Sequence, residues 1–134
     1  MKQAYLGIKF HADQHNRPLI EMITSALTQA GWTTQVIARD LEEWGEVQFE
    51  PQTLMARTFA VIEASDMAVI DLTEKGVGLG IEAGYAFAQG IPVFTIARDG
   101  SDISTTLRGI SQEVCLYRNE HDLVTFFRER LGYV

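Results

Sequence analysis

The chain has one cysteine, Cys115, in 134 residues, so no internal disulfide framework can form. It has no apolar run near the roughly 18 residues a membrane span needs. It has few cations: 11 Lys and Arg against 18 Asp and Glu leave a net charge of −7, a field that repels phosphate backbones and argues against nucleic-acid binding. Residues 1–7 carry one cation and the chain turns polar by Lys9 and His11, so no secretory signal is expected and a cytoplasmic location is. There is no internal repeat and no low-complexity tract. What is present, 46% hydrophobic and 22% charged residues, is ordinary globular composition, and the length predicts one domain over 1–134.

The patterning alternates strand and helix. A strand is expected within Lys2–Phe10, and a helix from Arg17 to Ala30 with Asn16 as N-cap, Pro18 in the first turn and Gly31 as the stop. Thr33–Ala38 reads as a strand and Arg39–Glu50 as a long acidic loop holding Trp44. Pro51 restarts a helix. Met67–Leu72 is a buried strand, Thr73–Gly80 a glycine-rich turn, Ile81–Gln89 a helix and Ile91–Ala97 another buried strand. Asp99–Gln112 reads as a loop with one helical turn, Glu113–Tyr117 as a fifth strand and Glu120–Leu131 as a last helix with Leu123, Phe126, Phe127 and Leu131 apolar. This predicts an α/β fold: a doubly wound, flavodoxin-like, five-stranded parallel sheet of order 2-1-3-4-5 with helices on both faces. Ligands in such sheets sit beyond the carboxyl ends of the strands where the order reverses, here at the loops after the first and third strands.

The loop after the third strand is the most informative. Gly76, Gly78 and Gly80 alternate and allow close backbone approach, and Glu82 follows in what the pattern makes the first helical turn. There the helix dipole favours an ionised carboxylate by about 0.3–1 kcal/mol, as a nucleophile or a stabiliser of positive charge requires. A dinucleotide fingerprint formally fits residues 78–83, but it follows the wrong strand, lacks the tight turn, and leaves too few strands. A phosphoacceptor receiver built on Asp71 and Thr95 fails because Lys9, Phe10 and His11 stand where an acidic pair must hold Mg²⁺.

Residues 65–71, 76–86 and 91–93 resemble the nucleoside 2-deoxyribosyltransferase family, nearest its 2′-deoxynucleoside 5′-monophosphate N-hydrolase branch. Tyr5-Leu6-Gly7, Gly31 and the Ser104–Gly109 segment fit as well. The resemblance implies cleavage of the N-glycosidic bond of a nucleoside or its 5′-monophosphate, with Glu82 as nucleophile at the anomeric carbon, by hydrolysis or by deoxyribosyl transfer. It implies substrate contacts at Gly7, His11, Arg17, Asp71, Gly76, Gly78, Gly80, Ser104 and Arg108. Ser104 and Arg108 would serve phosphate, with Ser104 supplied by a neighbouring subunit of a homodimer or larger homo-oligomer. Two positions depart from the family. Thr58 stands where its second carboxylate falls, and Gly76 where a phosphate-binding serine of the monophosphate branch falls.

Among the acids near the second strand, Asp40 is the chosen replacement, ahead of Glu42, Glu43 and Glu46. Two alternatives stand beside this reading: an inactive nucleotide-binding module on the same fold, and a glycohydrolase of NAD. No cofactor is expected, and no metal, because His11, Asp13 and His15 have no spacing that gathers them. The expected partner is a small nucleoside or nucleotide, not a membrane or nucleic acid.

Overall fold

The computed structural model describes residues 2–131. Its elements in chain order are β1 (Gln3–Gly7), α1 (Arg17–Gln29), β2 (Thr33–Gln35), α2 (Ile37–Asp40), a 3₁₀ turn (Glu43–Gly45), α3 (Pro51–Glu63), β3 (Met67–Asp71), α4 (Val77–Ala88), β4 (Val93–Arg98), α5 (Thr105–Ile110), β5 (Glu113–Tyr117) and α6 (Glu120–Leu131). The five strands form one parallel sheet in the order β2-β1-β3-β4-β5. The order expected from the alternation of elements is the order found.

The sheet buries both faces, which is why β3 reads as an almost unbroken apolar run. Side chains alternate across it. On one face Ala4, Leu6, Met67, Val69 and Ile96 pack with Ile20, Ile23 and Leu27 of α1 and Leu123 and Phe127 of α6. On the other Tyr5, Ala68, Ile70 and Val93 pack with Ile62 of α3, Leu79 and Ala83 of α4 and Leu107 of α5. This alternation decides which polar residues can share a site. α1 ends as expected, with Gly31 at φ +95° just past the cap, a conformation that costs a side chain and not a glycine. Asn16 occupies the N-cap position, but its side chain serves the preceding loop: Oδ1 accepts the His11 N–H.

Three expectations are corrected. β2 ends at Gln35 and not at Ala38, and the chain turns directly into α2. The acidic stretch from Arg39 to Glu50 is not one open loop: it contains the end of α2 and the 3₁₀ turn, with Glu43 and Trp44 at positive φ. α4 starts at Val77, four residues before Ile81, so Gly78 and Gly80 are helical. Glycine is a poor helix former in isolation, but packing of Leu79 and Ala83 against the sheet overrides propensity here. The helical turn expected in Asp99–Gln112 is the six-residue α5. The side chain of Leu131 lies outside the described residues.

Candidate active site

β1 ends in Tyr5, Leu6 and Gly7, and alternation sends Tyr5 to the α4 face of the sheet. There the Tyr5 hydroxyl donates a hydrogen bond to Oε1 of Glu82. Glu82 sits in the second turn of α4, one turn after Gly78. A Cβ at Gly7 would stand 2.8 Å from Ile70 Cδ1 and 3.1 Å from Glu82 Oε1, and one at Gly78 would stand 3.5 Å from Oε2. Gly7 therefore makes room for the carboxylate, and Gly78 leaves its second oxygen open. Gly7→Ala is expected to cost about 1–3 kcal/mol through overpacking, seen as a lowered urea midpoint, and to shift the Glu82 carboxylate from its place.

Glu82 faces a cavity of about 360 Å³ under the carboxyl end of β1. Phe10, Leu54 and Met55 give it apolar walls, and Thr58, Glu42 and Glu82 are polar groups on its lining. Burial pushes the Glu82 carboxyl from 4.5 up to about 7, against the Tyr5 hydrogen bond, which favours the ionised form. This corrects the expectation of a first-turn glutamate held ionised by the helix dipole. The dipole fades beyond the first turn, and desolvation is the stronger effect. Burial also raises Glu42, which is half-buried on the same cavity, and Glu42 in turn helps to raise the Tyr5 hydroxyl.

Asp40 does not join this cavity. Its Oδ2 accepts the Val36 N–H at 2.8 Å at the start of α2, and Arg39 pairs with it at 2.8 Å. The early turn into helix after β2 directs Asp40 to that cap and brings Glu42 to the cavity instead. Thr58, at the position of the missing carboxylate, lines the cavity and returns its hydroxyl to the Leu54 carbonyl at 2.8 Å.

Asp71 is also directed away. It follows Ile70 on β3, so the pleat puts it on the opposite face from Glu82. There its carboxylate accepts from the Tyr117 hydroxyl at 2.6 Å and from the Thr73 N–H at 3.0 Å. Burial raises its pKa while both hydrogen bonds and Arg98 oppose that rise. It fastens β3 to β5 and the following turn. Arg17 lies over the Trp44 ring at 4.2 Å and shares with Arg39 a separate open cavity of about 400 Å³. Trp44 also packs on Phe10, with ring centroids 5.8 Å apart, and so anchors its segment. His11 meets Glu74 at 2.6 Å, outside the Glu82 cavity.

Gly76, Gly80 and Ser104 border another open cavity, of about 440 Å³, beside Lys75 and Val77. Ser104 is the N-cap of α5 and its hydroxyl accepts the Leu107 N–H. Arg108 is exposed and not on that lining. Of the residues singled out in the sequence, Gly7, Gly78 and Glu82 come together, while Gly76, Gly80 and Ser104 form a second group. Tyr5 and Glu42, two polar residues of the first cavity, were not among the site residues expected from the sequence. Tyr5 carried one readable signal, a phenol in a buried strand that needs a polar partner. Glu42 carried none that separates it from its acidic neighbours.

No protein-family model matches the chain. Over 115 residues, 83% of this chain and 80% of the relative, it is 25% identical to a Thermofilum pendens protein whose name proposes a 2′-deoxynucleoside 5′-phosphate N-hydrolase. The chain is similar to the nucleoside 2-deoxyribosyltransferase family. Solved structures share its fold. A 2-deoxyribosyltransferase from Bacillus psychrosaccharolyticus superposes with a TM-score of 0.73 at 16% identity, over 91% of this chain and 90% of that one. A CMP N-glycosidase from Clostridium botulinum gives 0.67 at 17% identity, over 92% and 96%. The deoxyribosyltransferase likeness therefore spans nearly the whole sheet and the helices on both of its faces.

Proposed function

We propose that the chain cleaves the N-glycosidic bond of a nucleoside or nucleoside 5′-monophosphate, with Glu82 as the nucleophile. One observation carries this reading: a largely buried carboxylate, held by Tyr5 through one oxygen and left open at the other, on the wall of a cavity with apolar sides. The names of the sequence relative and of the two fold neighbours support the same bond type.

The chemistry follows from the arrangement. Departure of the base leaves an oxocarbenium-like sugar, which a carboxylate stabilises or captures. Ionised Glu82 bonds to the anomeric carbon as the carbon–nitrogen bond breaks. The departing base nitrogen takes a proton from Glu42, whose raised pKa keeps it protonated to higher pH than an ordinary glutamate. Water, or a second base, then attacks the same carbon, gives its proton to the Glu42 carboxylate and frees Glu82. Glu42 thus takes the place left by Thr58, where Asp40 was expected to act. Phe10, Leu54 and Met55 offer the base its apolar contact. The described lining carries two carboxylates and no Lys, Arg or His, so a 5′-phosphate would be held by groups outside it.

Glu42→Gln is expected to lower kcat for base release by about 10²-fold and to remove the alkaline limb of the pH profile, while a substrate with an activated leaving group recovers much of the rate. An unchanged alkaline limb would remove Glu42 from the role. The function itself is tested by incubating purified protein with separate nucleosides, 5′-monophosphates and NAD, and following free base by chromatography. Free base from a nucleoside or monophosphate without added acceptor establishes hydrolysis. Release only with a second base establishes transfer. Nicotinamide from NAD alone, or saturable binding with no release, would replace this reading with the glycohydrolase or the binding module.

A further inference from the structure

We infer that His11, His15 and Glu74 form a binding site for a divalent transition metal of the zinc, cobalt or nickel class, at the loops that follow β1 and β3. One ring nitrogen of each histidine and one carboxylate oxygen of Glu74 all lie within 4.8 Å of one another. Ligands about 2.0–2.2 Å from a tetrahedral ion stand roughly 3.3–3.6 Å apart, so the three donors need to shift by no more than about 1.5 Å to share one ion. His11 Nε2 and Glu74 Oε2, now 2.6 Å apart, need to separate by less than about 1 Å to admit it.

The two imidazole rings lie 4.1 Å apart at 32°. His15 Nδ1 is bound to Asp13 Oδ1 at 2.6 Å, which leaves its Nε2 for the metal. A carboxylate behind a ligating histidine fixes its ring and raises its basicity. The backbone around His11 is held by Asn16, which accepts the His11 N–H at 3.2 Å and donates to the Lys9 carbonyl. Glu74 is 63 residues from His11, so no sequence spacing reveals the group. Two imidazoles and one carboxylate suit zinc, cobalt and nickel, whereas Mg²⁺ and Ca²⁺ favour all-oxygen sites. Three protein ligands leave a position open to water or to an anionic oxygen. None of the three lines the Glu82 cavity, so the inference stands apart from the glycosidic reading.

The test is a Co²⁺ titration of the full chain after chelator treatment, followed by visible absorption, with Zn²⁺ binding measured by calorimetry. One Co²⁺ per chain is expected, displaced by Zn²⁺ and not by excess Mg²⁺. His11→Ala, His15→Ala and Glu74→Gln should each weaken binding at least about 10-fold, and Asp13→Asn by about 10-fold or more through His15. His121→Ala, on exposed α6 surface, should leave it unchanged. Circular dichroism checks that each variant is folded. Absence of saturable binding, equal competition by Mg²⁺, or binding that survives the His11→Ala, His15→Ala double variant would overturn the site.

Discussion

Glu82→Gln is expected to abolish base release, by about 10⁴-fold or more, in a protein that stays folded. The amide matches the carboxylate in size and still accepts the Tyr5 hydrogen bond, so the cavity keeps its shape. Only the capacity to bond to the anomeric carbon is lost. Kinetics on the substrate identified by chromatography, beside a urea melt of the variant, check this. A folded variant with unchanged turnover would remove Glu82 from the chemistry. In Glu42→Gln, where Glu82 is the one group whose charge must change, the residual rate should rise with pH through about 7, because burial holds part of Glu82 protonated at neutrality. The Tyr5 hydrogen bond favours the ionised form, so Tyr5→Phe should move that limb to higher pH.

Wild-type stability should fall, relative to Glu82→Gln, between about pH 4.5 and 7. The Glu82 pKa is raised from 4.5 to about 7 in the folded chain, so over this window the folded state binds more protons than the unfolded one. The neutral buried acid therefore contributes its full stability below pH 4.5, and that contribution is lost as the pH rises through 7. At 1.36 kcal/mol per pH unit, the loss is on the order of 3 kcal/mol. Urea unfolding of both proteins at pH 4.5 and pH 8 measures it. Subtracting the variant removes the groups they share, including Asp71, which burial also raises. A difference that does not change with pH would show that Glu82 is solvated, and with it the reading of the cavity as a place for chemistry would fail.

Several features of the fold were legible because they depend on local patterning. The unbroken apolar run at 67–72 required a strand covered on both faces, and β3 is buried along its whole length. Pro51 marked the start of α3 and Gly31 the end of α1, since the ring fixes φ in one case and a positive φ is needed in the other. The start of α4 was misread because glycine alternation is the signal of a turn, and only packing against the sheet made residues 77–80 helical. The end of β2 was misread because β-branched and apolar residues continue through Ile37 after the chain has turned.

The same division holds for the site. From its sequence alone this protein has a doubly wound sheet in a definite order, a carboxylate at position 82 beside small residues, and a missing acid at position 58. These are properties of neighbours along the chain. Which acid shares the cavity with Glu82, and which other groups line it, was decided by the tertiary structure. The pleat of β1 brings Tyr5 to Glu82, and that of β3 sends Asp71 to the other face. The turn into α2 gives the cavity Glu42 and not Asp40. His11, His15 and Glu74 meet only because parallel β1 and β3 lie side by side. Tyr5 and Glu82, and the two histidines and Glu74, are far apart in sequence, and a pattern read along the chain carries no distance across a sheet.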